Sequence, residues 1–388
     1  MAHIERRESG RWRARYRTPD GRERSKTFAR RVDAQRFLAG VETDKSRGEW
    51  VDPRLGRTRF DDFAGRWLAA VAPTLKPKTV ATYESLLRSR IQPAFGAWPL
   101  ASLMPSDVQA WVGDMLEEGL SPSRIRQANV VLSLVLQAAV RDGVVARNVA
   151  NGVRLPKLAR EEAPYFDPAT VDRIVAAMPE PYDLLVRILG TLGPRWGEAA
   201  ALRRSSVDLL RRRLRIVGST TEVGGRLVYG QTKSYSVRQV PLTPALLAQL
   251  GTHLAGVAPE PDAPLFVSPS GGPLRHGNFY HRLWRPTLRI LGLPAVGLHV
   301  LRHSAAARMI GAGASPKAVQ VVLGHCSAAF TLTVYGHIFD ADLDDLAARL
   351  DGDMGTALRI LAASPRPGAP DGELFTGSGE KKSASGLG

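Results

Sequence analysis

Residues 299–303 read His-Val-Leu-Arg-His, residues 323–325 read Leu-Gly-His, and residues 331–337 read Thr-Leu-Thr-Val-Tyr-Gly-His. This stretch holds half of the eight histidines of the chain. His299 and Arg302 are three positions apart, a spacing that places them on the same face of a helix. Ser315-Pro316 is typical of a helix start and Gly324 of a helix end. His325 is therefore predicted to lie just beyond a helix terminus, on a rigid element.

The charge of the chain points to a polyanionic partner. The 388 residues include 53 Lys and Arg against 37 Asp and Glu, a formal net charge of +16. Such an excess attracts nucleic acid, the obvious cellular polyanion. A membrane-surface binder and a merely soluble basic protein are the weaker alternatives. Binding of DNA by this charge is expected to weaken steeply as the salt concentration rises.

The cysteine content and the hydropathy of the chain argue against a disulfide, a zinc site and a membrane span. Cys326 is the single cysteine, so no disulfide within the chain and no cysteine-based zinc site are expected, and no metal or cofactor is predicted. The N-terminus shows no apolar signal segment, and no run approaches the roughly 18 apolar residues needed to cross a bilayer. We therefore expect a cytoplasmic protein with no membrane partner.

Residues 1–57 predict a small α+β domain with an arginine-covered face. Residues 1–59 carry 17 Lys and Arg against 9 Asp and Glu, a difference of 8 and half of the total excess. Strict alternation predicts a strand with three apolar residues on one face and four arginines on the other, namely Trp12, Ala14 and Tyr16 against Arg11, Arg13, Arg15 and Arg17. A turn at 19–21, a returning strand over 22–28 and a helix over 32–41 follow. Because no acid interrupts the four arginines, we predict DNA contact rather than an ordinary solvated face.

Residues 58–150 predict an all-helical domain, with helices over 60–71, 77–91, 107–116 and 122–142. Lys76 and Lys78 precede and begin the second of these helices, and they are candidates for phosphate contacts, with a solvated face as the alternative. Residues 151–164 mix Gly, Pro and charge without periodicity and predict a linker. A third domain is predicted over 165–350. The Gly-, Pro-, Ser- and Lys-rich residues 351–388 predict a largely disordered C-terminal tail.

Five short motifs resemble the signature of the tyrosine recombinase (phage integrase) family. They are Leu192-Gly193-Pro194-Arg195-Trp196-Gly197-Glu198, Gln231-Thr232-Lys233-Ser234 and the three stretches quoted at the start. Each motif alone is weak, but together they occur in family order at family-like spacing. The resemblance covers the third segment closely and the first two loosely. It implies an arm-type (AP2-like) N-terminal DNA-binding domain, an all-helical core-binding (SAM-like) domain and a mixed α+β, mainly helical catalytic domain.

The resemblance also implies a role for each member of the motifs. Tyr335 would attack a DNA phosphodiester and form a covalent 3′-phosphotyrosyl intermediate. Arg195 and Arg302 would clamp the non-bridging oxygens, with a further hydrogen bond from His325. His299 is the candidate base or phosphate partner, and Lys233 is the candidate acid for the leaving 5′-hydroxyl. Because two arginines hold the phosphate and the tyrosyl ester conserves the bond energy, neither Mg²⁺ nor ATP is expected.

Four residues close to the predicted catalytic ones are expected to have structural roles or to leave the site unchanged. Glu198 is expected to support Arg195, in preference to forming an ordinary surface pair. His303 is interpreted as a core histidine and His337 as a residue that steadies the turn after Tyr335, so neither is predicted to be catalytic. Pro194 stands where the family usually has an aliphatic residue. Proline fits the first turn of a helix beginning at Arg195, so the active site is expected to survive this departure.

The arm domain favours an integrase of a phage or integrative element, which carries out DNA integration and excision. The resemblance implies double-stranded attachment sites, four protomers at synapsis, a DNA-bending host factor and an excision factor as partners. A type IB topoisomerase uses similar chemistry, but the Leu323-Gly324-His325 motif and the arm domain argue against it. A non-catalytic DNA-binding regulator has no need of candidates at all six catalytic positions. A metal-dependent transposase lacks a carboxylate cluster in this sequence.

Overall fold

A computed structural model describes residues 3–18, 21–46, 55–158, 163–230 and 237–339, together with Leu350. Lys233 and the predicted tail over 351–388 lie outside the described residues, as does part of the predicted turn at 19–21. In the described part of the chain, three groups of elements each enclose their own hydrophobic cluster. The predicted catalytic residues other than Lys233 fall in the last group.

The N-terminal group is a three-stranded antiparallel sheet covered on one face by a helix. Its elements are β1 (His3–Arg6), β2 (Trp12–Arg17), β3 (Glu23–Phe28) and α1 (Arg31–Ser46). The predicted alternation along β2 is confirmed, because Ala14 and Tyr16 are buried against α1. Strand β1 had no counterpart in the prediction.

On the opposite face of this sheet, the prediction that the arginines have no acid beside them is wrong. Strand β1 sets Glu5 opposite Arg13, and the Glu5 carboxylate accepts hydrogen bonds from Arg13 (3.3 Å) and Arg15 (3.1 Å). Arg15 also donates to Glu23 on β3 at 2.9 Å. Sequence alternation describes one strand, whereas the charge of a face depends on its neighbours. Arg11 precedes β2 and Arg17 ends it, and both are exposed.

The second group is all-helical, as predicted. It contains α2 (Phe60–Val71), α3 (Pro77–Leu86), α4 (Gln92–Phe95), α5 (Pro105–Glu117) and α6 (Pro122–Arg141), with a π-helical turn over Leu87–Ile91 and 3₁₀ turns over Leu55–Arg57, Ala72–Thr74 and Leu100–Ser102. Ser121 is the N-cap of α6 and accepts a hydrogen bond from the Arg124 backbone, so the predicted start of this helix at residue 122 is confirmed. Lys76 and Lys78 border a groove of about 340 Å³ between the start of α3 and a hairpin of the third group.

The segment after α6 is irregular as far as residue 158 and is fastened to the helical group. Gln109 on α5 both donates to and accepts from the backbone of Arg154. Arg126 on α6 donates to the carbonyl of Pro156 at 3.0 Å. These contacts agree with a linker that has no periodic structure of its own.

The third group mixes helices with two small antiparallel sheets. Its helices are α7 (Pro168–Ala176), α8 (Tyr182–Leu192), α9 (Trp196–Ala199), α10 (Pro244–Ala255), α11 (His276–Phe279), α12 (Arg285–Ile290), α13 (His299–Gly311), α14 (Pro316–Leu323) and α15 (Ala328–Phe339). Its strands are β4 (Val207–Asp208), β5 (Arg213–Ile216), β6 (Ser219–Val223), β7 (Arg226–Gly230) and β8 (Arg238–Pro241), in the orders β4-β5-β8 and β6-β7. A 3₁₀ turn over Arg204–Ser206 and a π-helical turn over Tyr280–Trp284 complete the group.

Helix α8 lies at the centre of the third group because it is apolar almost all round. Leu185, Val186 and Ile188 are fully buried, and α8 packs against both α7 and α13. A helix that is hydrophobic on all sides belongs inside a core. Since α13 carries His299 and Arg302, its packing on α8 anchors these two side chains to the buried core of the third group.

The described residues contain neither a single helix that could span a membrane nor a cluster of side chains that could hold a metal ion. None of the described helices alone has both the length and the apolar character to cross a bilayer, and α14 with most of α15 reaches that length and composition only when the two are joined across a bend of 104°. Within the same ranges, no group of three or more His, Cys, Asp or Glu side chains is arranged to hold a metal ion.

Candidate active site

Two left-handed glycines bring the motifs of the third group together. Gly193 (φ +64°) ends α8 and turns the chain toward Arg195, and Gly324 (φ +69°) ends α14 and turns it toward His325. Only glycine takes this conformation without strain. Helix α13 supplies His299, Arg302 and His303, and α15 supplies Tyr335. The site is therefore formed where the ends of two helices meet the side of a third.

Arg195 is held by a buried carboxylate. It is the N-cap of α9, which begins at Trp196, so the prediction that the helix begins at Arg195 is wrong by one residue and Pro194 lies before the cap. The side chain of Arg195 donates to Glu198 at 3.0 Å, and its backbone N–H donates to the same carboxylate at 2.9 Å. Glu198 is 1% exposed. The expected supporting role of Glu198 agrees with this geometry.

A second arginine, Arg238, completes the support from the opposite side. It donates two hydrogen bonds to Glu198, at 3.1 and 2.5 Å, and its Nε donates to the carbonyl of Val322 at 3.0 Å. Strand β8 is thereby tied to α9 and to the end of α14. Burial opposes ionisation of Glu198, but the hydrogen bonds and charges of Arg238 and Arg195 outweigh it and lower its pKa.

Replacing Glu198 with glutamine is expected to cost about 3 kcal/mol of unfolding free energy at pH 7, because it leaves Arg238 buried without a countercharge. A carboxylate whose pKa is lowered in the folded state stabilises the fold above its unfolded pKa and loses that effect as the pH falls through the folded value. The cost of Glu198→Gln should therefore shrink below about pH 4.5. Urea unfolding of both proteins between pH 3 and pH 7 measures it.

Glu222→Gln is the matched control for this prediction. Glu222 pairs with Arg275 at 2.6 Å, but both side chains are more than a third exposed. Such pairs contribute about 0–1 kcal/mol. A cost at Glu198 no larger than that at Glu222, or one independent of pH, would contradict the interpretation of Glu198 as a buried electrostatic support.

Arg302 is the most deeply placed cation of the site, at 3% exposed. Its Nη1 donates to the carbonyl of Gly193 at 2.7 Å, whereas its buried Nη2 has no hydrogen-bond partner among the described residues. Burial and the nearby charge of Arg195 lower the pKa of Arg302 to about 9. The guanidinium still carries its charge at neutral pH, and one of its hydrogen-bonding nitrogens is available to a ligand.

Tyr335 and three histidines occupy the space beside Arg302. The Tyr335 hydroxyl is 2.8 Å from Nδ1 of His303, and the side chain is 2% exposed. The ring of His299 meets that of His303 edge to face, with centroids 4.8 Å apart. His325 stacks on Tyr335 at 6.1 Å and shares a 2.8 Å hydrogen bond with Thr331. The histidine bonded to the tyrosine is thus His303 rather than His299, the predicted base.

Burial and positive charge set the protonation of this cluster. Burial, helped by neighbouring cationic and imidazole groups, lowers the pKa of His303 and of His325 to about 4 each. Burial and the two arginines also lower the pKa of His299. Burial raises the pKa of Tyr335 to about 12, although the charge of Arg302 acts in the opposite direction. At neutral pH the tyrosine is a neutral hydroxyl beside unprotonated imidazoles.

Gly193 should tolerate no side chain. An added Cβ would lie 2.5 Å from Cδ2 of Leu323 and 3.0 Å from Cβ of Ala305. We expect Gly193→Ala to destabilise the protein by about 1–2 kcal/mol through its positive φ and by a further 1–3 kcal/mol through overpacking. Gly313→Ala is the control for φ alone, since Gly313 (φ +79°) has no such neighbour within 4 Å. Equal losses of unfolding free energy in the two variants would exclude the steric contribution.

The geometry brings together five of the six predicted catalytic residues, namely Arg195, His299, Arg302, His325 and Tyr335. Lys233 lies outside the described residues, between the end of β7 and the start of β8. Sequence reasoning missed Arg238 and gave His303 no part in the chemistry. Strand β8 reads Arg-Gln-Val-Pro, and its alternation places Arg238 on the same, buried face as Val240. A charged residue at a buried position needs a partner, so this pattern could have indicated a functional arginine. His303 follows His299 by four positions, one helical turn along the same face.

A known family pattern matches part of each of the three groups of elements. The pattern of the Phage integrase family matches residues 164–342, that of the phage integrase N-terminal domain matches 3–47, and that of the phage integrase N-terminal SAM-like domain matches 59–116. The putative prophage phiRv2 integrase of Mycobacterium tuberculosis is 29% identical over 358 residues, covering 88% of this chain and 92% of the relative. The tyrosine recombinase XerC of Methylobacterium nodulans is 30% identical over 346 residues, covering 83% and 98%.

Solved structures share the fold. The Tn1549 transposon integrase, in complex with transposon right-end DNA, superposes with a TM-score of 0.64 at 21% identity, covering 75% of this chain and all of that one. A lambda integrase dimer bound to a COC′ core site gives a TM-score of 0.56 at 19% identity, covering 85% and 93%. With the motifs, the three family matches and these relatives in agreement, the chain belongs to the phage integrase family of tyrosine recombinases, enzymes that cut and rejoin DNA strands.

Proposed function

We propose that this protein is a site-specific recombinase in which Tyr335 is the nucleophile and Arg195 and Arg302 bind the DNA phosphate. The observation that carries the proposal is the buried Nη2 of Arg302, which has no hydrogen-bond partner among the described residues. Arg195, Arg238 and Arg302 converge here, with Glu198 as their shared acid. A surplus of buried positive charge is costly unless an anion binds, and a phosphodiester supplies that anion.

The proposed reaction is a transesterification. The Tyr335 oxygen attacks the phosphorus, the two guanidinium groups take up the charge that develops on the non-bridging oxygens, and the 5′-oxygen leaves. Lys233 is proposed as the acid that protonates the leaving oxygen, His325 as a further phosphate donor and His299 as a phosphate partner. The resulting 3′-phosphotyrosyl bond is returned to a 5′-hydroxyl when the strand is rejoined, without metal or ATP.

The N-terminal and helical groups are proposed to bind DNA outside the catalytic step. Arg11, Arg13, Arg15 and Arg17 lie on or beside one strand of the N-terminal sheet, and Lys76 and Lys78 line the groove that faces β6 and β7. We propose the domain limits 1–57, 58–150 and 165–350 with a linker over 151–164, because each of the three groups has its own hydrophobic cluster. The turn over Leu55–Arg57 is an exception at the first limit, since its Gly56 lies against Ala101 of the helical group.

Assembly and origin are also proposed by analogy. Lambda integrase has been solved as a tetramer bound to a Holliday junction, which supports four protomers at synapsis here. The relatives include the integrase of Mycobacterium phage D29 and the ICEBs1 integrase of Bacillus subtilis, so integration and excision of a mobile element is the proposed process. A DNA-bending host factor and an excision factor are proposed as accessory partners, and the cytoplasm as the location.

Covalent capture tests the function. Wild-type protein is incubated with a duplex that carries a core site, found by genomic selection, and a nick that lets the cleaved fragment diffuse away. EDTA is present and ATP is absent. We expect a protein–DNA band that survives denaturation, with the nucleotide on the Tyr335 peptide by mass spectrometry. Tight binding without this band would favour a non-catalytic regulator, and a band accompanied by plasmid relaxation but no strand exchange would favour a topoisomerase.

A further inference from the structure

We propose that His303 is a further catalytic residue, which accepts the proton of the Tyr335 hydroxyl during attack and returns it when the strand is rejoined. The inference rests on the proposed function of Tyr335. Its basis is contact with the reacting atom, since Nδ1 of His303 lies 2.8 Å from the Tyr335 oxygen. This distance is within the range that direct proton transfer needs.

The other histidines of the site are engaged differently. His325 bonds Thr331 through its own Nδ1 and meets Tyr335 only by stacking. His299 contacts the ring of His303 at 4.8 Å between centroids, edge to face. His303 is therefore placed between His299 and Tyr335, and it is the imidazole whose ring nitrogen faces the nucleophile.

The protonation state of His303 suits an acceptor. Burial, helped by the neighbouring His299 imidazole and the charge of Arg302, keeps the pKa of His303 near 4, so the ring is neutral before DNA binds. The proposal requires the tautomer that carries its proton on Nε2 and leaves the Nδ1 lone pair toward Tyr335. A phosphodiester bound to Arg302 offsets one of the charges that lower this pKa, so His303 becomes a stronger base when substrate is present.

In cleavage, the Tyr335 oxygen forms a bond to phosphorus as its proton moves to Nδ1 of His303. The bond from phosphorus to the 5′-oxygen breaks, and that oxygen takes a proton from the acid proposed above, Lys233. On rejoining, the 5′-hydroxyl oxygen attacks phosphorus and gives its proton back to Lys233. The bond from phosphorus to the tyrosine oxygen then breaks, and His303 returns its proton to that oxygen.

His303→Asn separates hydrogen bonding from proton transfer, because the asparagine amide sits where Nδ1 was but does not titrate. Single-turnover adduct formation on the nicked duplex should fall by about 10²-fold or more. Binding of the same duplex and the thermal unfolding midpoint should remain at wild-type values. Adduct formation by wild type tests the proposed function, whereas the ratio of variant to wild type tests His303, so the two failures are distinct.

Comparing two leaving groups, tyrosine and p-nitrophenolate, distinguishes proton transfer by His303 from a purely structural role of this residue. In the Tyr335→Ala background, a 5′-hydroxyl strand is ligated to DNA ending in a 3′-phosphotyrosyl ester or in a 3′-p-nitrophenyl phosphate. Departure of tyrosine needs a proton, and departure of p-nitrophenolate does not. Adding His303→Asn should slow the first ligation and leave the second unchanged. Equal slowing of both, or adduct formation by His303→Asn at the wild-type rate, would overturn the proposal.

Discussion

Tyr335→Phe should abolish the covalent protein–DNA adduct while leaving the protein folded and bound to its core site. The substitution removes only the hydroxyl that is proposed to form the ester with DNA. Loss of a nucleophile lowers turnover by about 10⁴-fold or more. Because the hydroxyl is bonded to His303 in a buried setting, we expect a small stability cost of about 1 kcal/mol.

Gel shift, denaturing gels and thermal unfolding on the same preparation measure these effects together. Tyr229→Phe is the matched control, since Tyr229 is an exposed tyrosine of strand β7 in the same group of elements. It should give the wild-type yield of adduct. An adduct that persists in Tyr335→Phe would assign the nucleophile to another residue, even if the rest of the site were correct.

Arg302→Met should greatly reduce DNA cleavage without lowering the stability of the fold. The guanidinium is proposed to stabilise the transition state through its free Nη2 donor, and removal of one such donor usually costs about 10²–10³-fold in rate. Cleavage should therefore fall by at least about 10²-fold. Yet the same side chain is buried among other cations with one unsatisfied nitrogen, and replacing a buried charge by an apolar chain of similar length is often neutral or stabilising by about 1–4 kcal/mol.

The expected result is a variant at least as stable as wild type in urea and almost inactive on the nicked duplex. Arg308→Met is the control, because Arg308 lies further along the same helix, where its charge supports the helix C-terminus. Arg308→Met should change neither the stability in urea nor the cleavage of the nicked duplex by much. A marked loss of stability in Arg302→Met would mean that the hydrogen bond to Gly193 outweighs the unfavourable burial, and the site would not be strained by excess charge.

Local signals in the sequence predicted the ends of several helices. Ser121 and Ser315 are N-caps whose side chains accept from the backbone three residues later, before the helices predicted there, and Gly324 ends α14 in the left-handed conformation. These features depend on a few adjacent residues, so they can be recognised without knowledge of the tertiary structure. The order of the motifs along the chain likewise indicated which residues converge.

Contacts between distant residues could not be predicted in the same way. The acid that offsets Arg13 and Arg15 comes from Glu5, on a strand too short to give a pattern of its own. Arg238 reaches Glu198 across 40 positions of sequence, and only the fold reveals that pair. The partner of Tyr335 depends on how α15 packs on α13, which decided between two histidines one helical turn apart.

The covered position of Tyr335 bears on the fidelity of the enzyme. A protein with this much positive charge meets random genomic DNA far more often than its own target. The hydroxyl of the proposed nucleophile, however, belongs to a side chain that is only 2% exposed, so DNA that touches only the outer surface does not reach it. We therefore expect off-target cutting of the host chromosome to be rare, with assembly on a target as the event that uncovers Tyr335.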